Sequence, residues 1–333
     1  MKQYLKLIRP YGMLFLGFTP VFCAIANGES DLLRLSILLV IGLLAHIFTF
    51  VQNDYYDIEI DRKSKYVSDR PLLTGTISQK TALAIVIASF AISIVLAIVF
   101  LFSVYSFVVL LFSFMCITIY NKYSKSSYGM EYALGLGVFS YGIFGALTVS
   151  KSVSILALVV SLAGFMQWLF SVGISANLKD VEYDSRLGIK TTPMVFGVKV
   201  VNQKFMMPLS FKCYAVGVKI LHILIISLPF FLGYTSIFVY NLPIPAVCFL
   251  ILTGTLLFMA SRILSASPSD RDNMLRYEGV QEGLALLLIP IALMSYLVEN
   301  FSLLPTILLI FLLILWPLFC LRSLFGRKMI PLE

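Results

Sequence analysis

Apolar stretches close to the length that crosses a bilayer, roughly 20 residues, recur along the whole chain with short polar breaks between them. The pattern predicts helices over 11–27, 32–52, 81–103, 104–120, 130–149, 153–176, 212–236, 242–264, 280–298 and 302–322. The break at 103/104 rests on Ser103 and a brief polar pause. No Gly/Ser linker, low-complexity tract, short-period repeat or soluble-sized stretch interrupts the series. Residues 1–333 therefore read as one domain, an all-α, polytopic transmembrane helix bundle.

Composition agrees. With 59% hydrophobic and 13% charged residues and a mean hydropathy of +0.95, an ordinary soluble globule is excluded. Basic residues gather at the N-terminus and in every second connection. They are Lys2, Lys6 and Arg9; Arg62, Lys63, Lys65, Arg70 and Lys80; Lys122 and Lys125; a run from Lys179 to Lys219; Arg262, Arg271 and Arg276; and Arg322, Arg327 and Lys328. The opposite connections hold only Arg34 and Lys151. This is the positive-inside pattern, and it predicts a multi-pass protein of the cell membrane with both termini and the polar loops cytoplasmic. The net charge of +8 then reflects topology and phosphate handling, with no call for nucleic acid. The first apolar run ends Ala24-Ile25-Ala26 and imitates a cleavable signal. Its removal would invert the side of every later loop, so a retained first helix is expected. The five cysteines form no CxxC pair. His46 and His222 lie in apolar runs, so neither a histidine-based metal site nor a Ser-His-Asp hydrolase is expected.

Against this background two acidic clusters stand out where apolar helices should end. Asn53, Asp57 and Asp61 recur every fourth residue with Asp54 beside them, and Asp180 and Asp184 repeat the spacing after the sixth segment. On a helix each set forms one stripe, and like charges so placed repel unless a cation neutralises them. Oxygen donors without nitrogen or sulfur favour a hard ion: magnesium, calcium or manganese. Magnesium takes one or two carboxylates and completes its shell with substrate phosphate oxygens. Two facing stripes can hold such ions with a diphosphate between them, which requires helices two and six to end at one cavity. Asn53, Arg9, Arg70, Lys125, Lys179 and Lys190, with Lys122 as the alternative to Lys125, are the candidate diphosphate ligands.

Several blocks in order resemble the UbiA superfamily of intramembrane prenyltransferases. Arg9-Pro10 opens the first helix as the family's RP element does. Asn53-Asp54-x-x-Asp57-x-x-x-Asp61 matches its first aspartate motif, and the run Asp69-Arg70-Pro71-Leu72-Leu73-Thr74-Gly75-Thr76-Ile77-Ser78 its RPLxxGxIS loop. Tyr120-Asn121-x-x-x-Lys125 is similar to the Tyr…Lys element. Asp180-x-x-x-Asp184 followed by Gly188-Ile189-Lys190-Thr191 matches the second aspartate motif and its tail. The chain departs from the pattern at Asn121, Ser124 and Tyr183, and shows ten apolar segments where the family has nine core spans, leaving a possible tenth at the C-terminus.

The resemblance implies transfer of a polyprenyl group from a prenyl diphosphate to a lipophilic acceptor by Mg2+-assisted ionisation to an allylic cation. Aromatic or quinone-precursor acceptors are expected first, and the geranylgeranylglyceryl phosphate of ether lipids next. It places Asn53, Asp54, Asp57, Asp61, Asp180 and Asp184 around metal, with Tyr120 beside the reacting carbon. Tyr55, Tyr56 and Tyr183 are further candidates for cation–π stabilisation. Membrane lipid surrounds the protein, and no obligate protein partner is evident. A cation-coupled transporter is the alternative from another class, since paired membrane carboxylates also mark ion paths. The expectation that no charge lies in the middle of a span argues against it.

Overall fold

The computed structural model describes residues 2–64 and 66–329; Lys65, counted above among the loop charges, lies outside the described residues. The chain opens with α1 (Lys2–Ile8), a 3-10 turn (Pro10–Gly12) and α2 (Met13–Ala26). α3 (Leu32–Tyr56), the short α4 (Ile58–Asp61), α5 (Gln79–Phe100), α6 (Val104–Tyr123) and α7 (Met130–Leu147) follow. Next come α8 (Ile155–Trp168), a π-helical segment (Leu169–Ala176), α9 (Asn177–Arg186) and the short α10 (Thr192–Val195). A two-stranded antiparallel hairpin, β1 (Lys199–Val201) and β2 (Lys204–Met206), precedes α11 (Leu209–Phe231). The chain finishes with α12 (Ile244–Leu264), α13 (Arg271–Ala292), α14 (Met294–Phe301) and α15 (Leu303–Phe325).

Among the described residues, eight helices are long and apolar enough to cross a membrane, or up to ten if two bent pairs each count as one. The bends are 40° between α1 and the 3-10 turn with α2, and 60° between α13 and α14. The 103/104 break is present, with Ser103 Oγ capping the Ser106 amide at the start of α6. The sixth segment runs past its expected end, because α8, the π segment and α9 form one span from Ile155 to Arg186. The first bend has a clear cause. Arg9 adopts left-handed backbone angles, φ 49° and ψ 62°, and Pro10 cannot donate to the preceding turn. His46 sits against the freed carbonyls of Ile8 and Arg9 at 3.1 and 3.2 Å, and Trp316 Nε1 donates to Pro10 O at 2.7 Å. Both groups brace the bend through its carbonyls, of which Arg9 O also accepts from the Gly12 amide and Pro10 O from the Met13 amide.

Small residues let helices touch through their backbones. A Cβ at Gly42 would lie 2.4 Å from Gly17 O, so α2 and α3 meet at a pair of glycines, as helices in lipid commonly do. One expectation fails here. Lys219, counted with a polar connection, sits in the middle of α11 and is 1% exposed. Glu282 likewise lies within α13. Lys219 is accommodated by polar side chains between helices: its Nζ donates to Gln167 Oε1 on α8 at 2.9 Å, and Gln167 in turn donates to Gln281 on α13.

Candidate active site

The first acidic motif straddles a break. α3 ends at Tyr56 and α4 begins at Ile58, yet the Asp57 amide donates to Asn53 O at 3.0 Å and the Asp61 amide to Asp57 O at 2.8 Å. Helical spacing thus survives the bend, and Asn53, Asp57 and Asp61 share one face. On the second motif's side the π segment inserts extra residues per turn, a feature frequent at functional sites. It gives the chain a helical continuation that presents Asn177, Lys179, Asp180 and Tyr183 to the same cavity. At Gly173 in that segment an added Cβ would meet Glu131 Cγ at 2.8 Å, so only glycine admits the close approach of α7.

The cavity has a volume of about 190 Å³ and brings together Arg9, Asn53, Asp57, Asp61, Arg70, Tyr120, Lys125, Lys179 and Asp180. Helices two and six therefore do end at one site. Asp54 is placed differently from expectation. It is 3% exposed, accepts from Arg9 Nη2 at 2.6 Å and lies 3.1 Å from Arg70 Nη1, so it anchors the two arginines behind the cavity wall. Arg70 also donates to Asp61. Asp180 accepts from Arg271 Nη2 at 2.5 Å, and Lys179 Nζ lies 3.7 Å from Glu278. Asp184 is fully buried, with neither carboxylate oxygen hydrogen-bonded and Lys125 Nζ 3.8 Å away.

Lys122 is exposed, 5.2 Å over the Tyr123 ring, and does not line the cavity. Of the two candidate bases after α6, Lys125 is the one at the site. Lys190 is also exposed and outside it. Tyr120 and Tyr183 line the cavity, whereas Tyr55 and Tyr56 do not. Two departures from the motif pattern have structural work. Asn121 ties α6 to α3 through Thr49 O at 3.0 Å and Gln52 Oε1 at 2.9 Å. Tyr183 OH donates to Ile60 O at 2.6 Å, joining the two acidic motifs directly.

Electrostatics match this crowding. Burial pushes the Asp57 carboxyl up to about 7; Lys125 and Arg70 oppose the shift, while Asp61 and Asp54 add to it. Burial also raises Asp61, against the pull of Arg70. For Lys125 burial favours the neutral form, but Asp184, Asp180 and Asp57 outweigh it and raise its pKa. Arg70 follows the same pattern, with Asp54, Asp61 and Asp57 overcoming its burial. A cation beside Asp57 and Asp61 would relieve their repulsion. The two orphaned oxygens of Asp184 offer further anionic donors. Among the described residues no three His, Cys, Asp or Glu side chains converge to hold an ion unaided. The donor set fits a hard ion whose remaining positions are filled by phosphate oxygens.

Sequence reasoning missed several lining residues. Arg271 and Glu131 both line the cavity. Arg271 had looked like one more loop charge, and only the packing of α13 brings its guanidinium to Asp180 and 4.1 Å over the Tyr66 ring. Glu131, 4% exposed, begins α7 and accepts from Thr192 Oγ1. A lone glutamate after a glycine turn carries no signal for such a place.

Comparison with known proteins gives consistent results. The model of the UbiA prenyltransferase family matches residues 14–280. The digeranylgeranylglyceryl phosphate synthase of Thermococcus sibiricus is 26% identical over 209 residues, covering 60% of this chain and 70% of that protein. The 4-hydroxybenzoate octaprenyltransferase of Vibrio cholerae is 29% identical over 205 residues, 59% of this chain and 68% of that protein. A UbiA homologue from Archaeoglobus fulgidus, solved with GPP and Mg2+, superposes with a TM-score of 0.59 at 20% identity, over 88% of this chain and 99% of that one.

Proposed function

The chain belongs to the UbiA prenyltransferase family and is a multi-pass membrane prenyltransferase, and from that premise we propose how its residues divide the work. The bundle acts as one domain and moves a polyprenyl group from a prenyl diphosphate to a lipophilic acceptor. Arg9, Arg70, Lys125 and Lys179 bind the diphosphate oxygens through charge-assisted hydrogen bonds. Asn53, Asp57, Asp61 and Asp180 face the cavity that would hold Mg2+, and Asp184, beside Lys125, adds a carboxylate that accepts no hydrogen bond. Mg2+, when bound, supplies charge neutralisation that makes diphosphate a better leaving group. Asp54 holds Arg9 and Arg70 in place. Tyr120 and Tyr183 present rings to the cavity where an allylic cation would develop, and such faces stabilise positive charge. The apolar helices around the cavity would limit the access of water to that carbon.

One observation carries this reading: both acidic motifs and the arginine and lysine side chains line one cavity. The A. fulgidus homologue was solved with GPP and Mg2+, which supports magnesium as the ion. The acceptor is open between two chemistries, because both glyceryl phosphate and hydroxybenzoate enzymes appear among the relatives. The purified protein, given geranylgeranyl diphosphate with geranylgeranylglyceryl phosphate or 4-hydroxybenzoate, should yield a product heavier than one acceptor by the prenyl mass. Diphosphate-free ion flux in liposomes, with no product from any acceptor, would favour the transporter alternative.

A further inference from the structure

Joining a prenyl group to a hydroxyl oxygen leaves a proton to be removed, and the cavity holds few groups that can take it. Among the described residues four carboxylates line it: Asp57, Asp61, Asp180 and Glu131. Asp61 and Asp180 are paired with Arg70 and Arg271. Asp57 shares its helical face with Asn53 and Asp61, on the side assigned to Mg2+ and diphosphate. Glu131 belongs to neither acidic motif and, among the described residues, makes no ion pair.

Its place follows from the elements around it. Gly129, with φ 76°, turns the chain before α7, and Glu131 falls in the first turn of that helix. A carboxylate there ordinarily complements the helix dipole from the surface, but this one is 4% exposed and turned toward the π segment. Its stem occupies the gap left by Gly173, where an added Cβ would lie 2.8 Å from Glu131 Cγ and 3.3 Å from Oε1. Thr192, at the start of α10, donates to Oε1. Oε2 has no hydrogen-bond partner among the described residues, and the side chain lines the cavity. One oxygen is held and the other is available to a ligand.

The wall beside Glu131 differs from the rest of the cavity. Met130 precedes it in α7, and Val172 and Ala176 belong to the π segment that meets it; all three line the cavity with apolar surface. Tyr120 lines the cavity as well and lies within electrostatic reach of the carboxylate. The cations are drawn instead to the aspartates: Arg9 to Asp54, Arg70 to Asp61, Lys125 to Asp184 and Arg271 to Asp180. A buried carboxylate without a cation is costly. The contact with Thr192 alone does not call for one, since a neutral amide oxygen would accept that hydrogen bond equally. An unpaired carboxylate oxygen at a cavity wall can accept a donor that the substrate brings, within the hydrogen-bond reach that a general base requires.

We propose that Glu131 accepts the hydroxyl proton of the acceptor during prenyl transfer, and that the acceptor is an alcohol prenylated on oxygen. This rests on the prenyl-transfer reading and deepens it. In the step, the hydroxyl oxygen bonds to C1 of the prenyl group. The bond from C1 to the diphosphate oxygen breaks, and its electron pair leaves with diphosphate. The hydroxyl proton moves to Oε2 of Glu131 while Thr192 keeps Oε1 in place. An O–H group hydrogen-bonds to a carboxylate before it reacts, whereas a ring C–H does not, so the arrangement suits an alcohol.

The test compares the wild type with Glu131→Gln in detergent, using geranylgeranyl diphosphate with geranylgeranylglyceryl phosphate, and with 4-hydroxybenzoate in parallel. Ether formation is measured against diphosphate release in the absence of acceptor. Glutamine keeps the oxygen that accepts from Thr192 and removes the capacity to take a proton, so a purely structural role would survive the change. The ratio of ether formation to acceptor-free release should fall at least about 100-fold. Ether formation at the wild-type rate overturns the assignment. So does an equal fall in both reactions, which would place Glu131 with the metal and diphosphate ligands. If Glu131→Gln does not fold, Thr192→Val, which leaves the carboxylate but removes the hydroxyl that holds it, must lower the same ratio; an unchanged ratio overturns the proposal. A wild type that prenylates only the ring carbon of 4-hydroxybenzoate would keep the prenyl-transfer reading and overturn this inference. A wild type that prenylates neither acceptor would remove both.

Discussion

At Asp57 a carboxylate is held by burial at about 7, well above its ordinary range, and that fixes how the site should respond to pH. A cation must displace the proton, so Mg2+ affinity should weaken by about tenfold per pH unit below 7 and level off above it. Isothermal titration of Mg2+ with a diphosphate analogue between pH 5.5 and 8.5 checks this, and a flat profile would contradict it. Replacing a carboxylate that faces the ions removes charge stabilisation of about 3–4 kcal/mol. Asp57→Ala and Asp180→Ala should therefore each lose at least about two orders of magnitude in turnover while remaining folded. Near-normal rates at saturating Mg2+ would make the clusters ordinary surface acids. Much of the site was legible at this scale, since Asn53, Asp57, Asp61, Asp180 and Arg70 were singled out by spacing or motif and line the cavity. Spacing alone cannot show that Asp54 turns to its arginines, nor choose Lys125 over Lys122. It is blind to Arg271, whose role depends on a helix more than eighty residues from the motif it meets.

The elements explain how two motifs far apart in sequence reach one cavity. Apolar length marked nearly every helix, because a span of given thickness leaves a signal that needs no tertiary knowledge. The π segment left none: Leu169–Ala176 is as apolar as the helix before it, and its register is set by neighbours such as Glu131 against Gly173. The bend at Arg9 was marked only by Pro10, while its braces, His46 and Trp316, come from distant helices. The tight contact of α2 with α3 gives a clean test. Gly42→Ala places a methyl 2.4 Å from Gly17 O, and overpacking of this kind typically costs about 1–3 kcal/mol. Thermal unfolding in detergent should show a clearly lower midpoint for Gly42→Ala than for the wild type; an unchanged midpoint would mean that the helices separate freely there.

Across the whole molecule, the hydropathy count and the charge alternation rest on different residues yet describe the same bundle. Where the count left ten segments, the described residues hold eight single candidates and two bent pairs. Lys219 had been grouped with the loops because its neighbours in sequence are basic, whereas in the fold it is buried among glutamines. The remaining basic bias predicts a cytoplasmic site. Single cysteines placed at Lys122 and at Lys151, in a variant lacking the exposed Cys213, should be labelled by an impermeant thiol reagent from opposite sides of the membrane. Labelling of both from one side would break the topology. The central claim is that cations shared between the two acidic motifs drive departure of the diphosphate. Its most direct test is diphosphate release from geranylgeranyl diphosphate by the wild type, with and without EDTA, alongside measured metal content. Release should stop with the chelator and return with Mg2+, whereas full turnover in protein shown to be free of metal would contradict the mechanism.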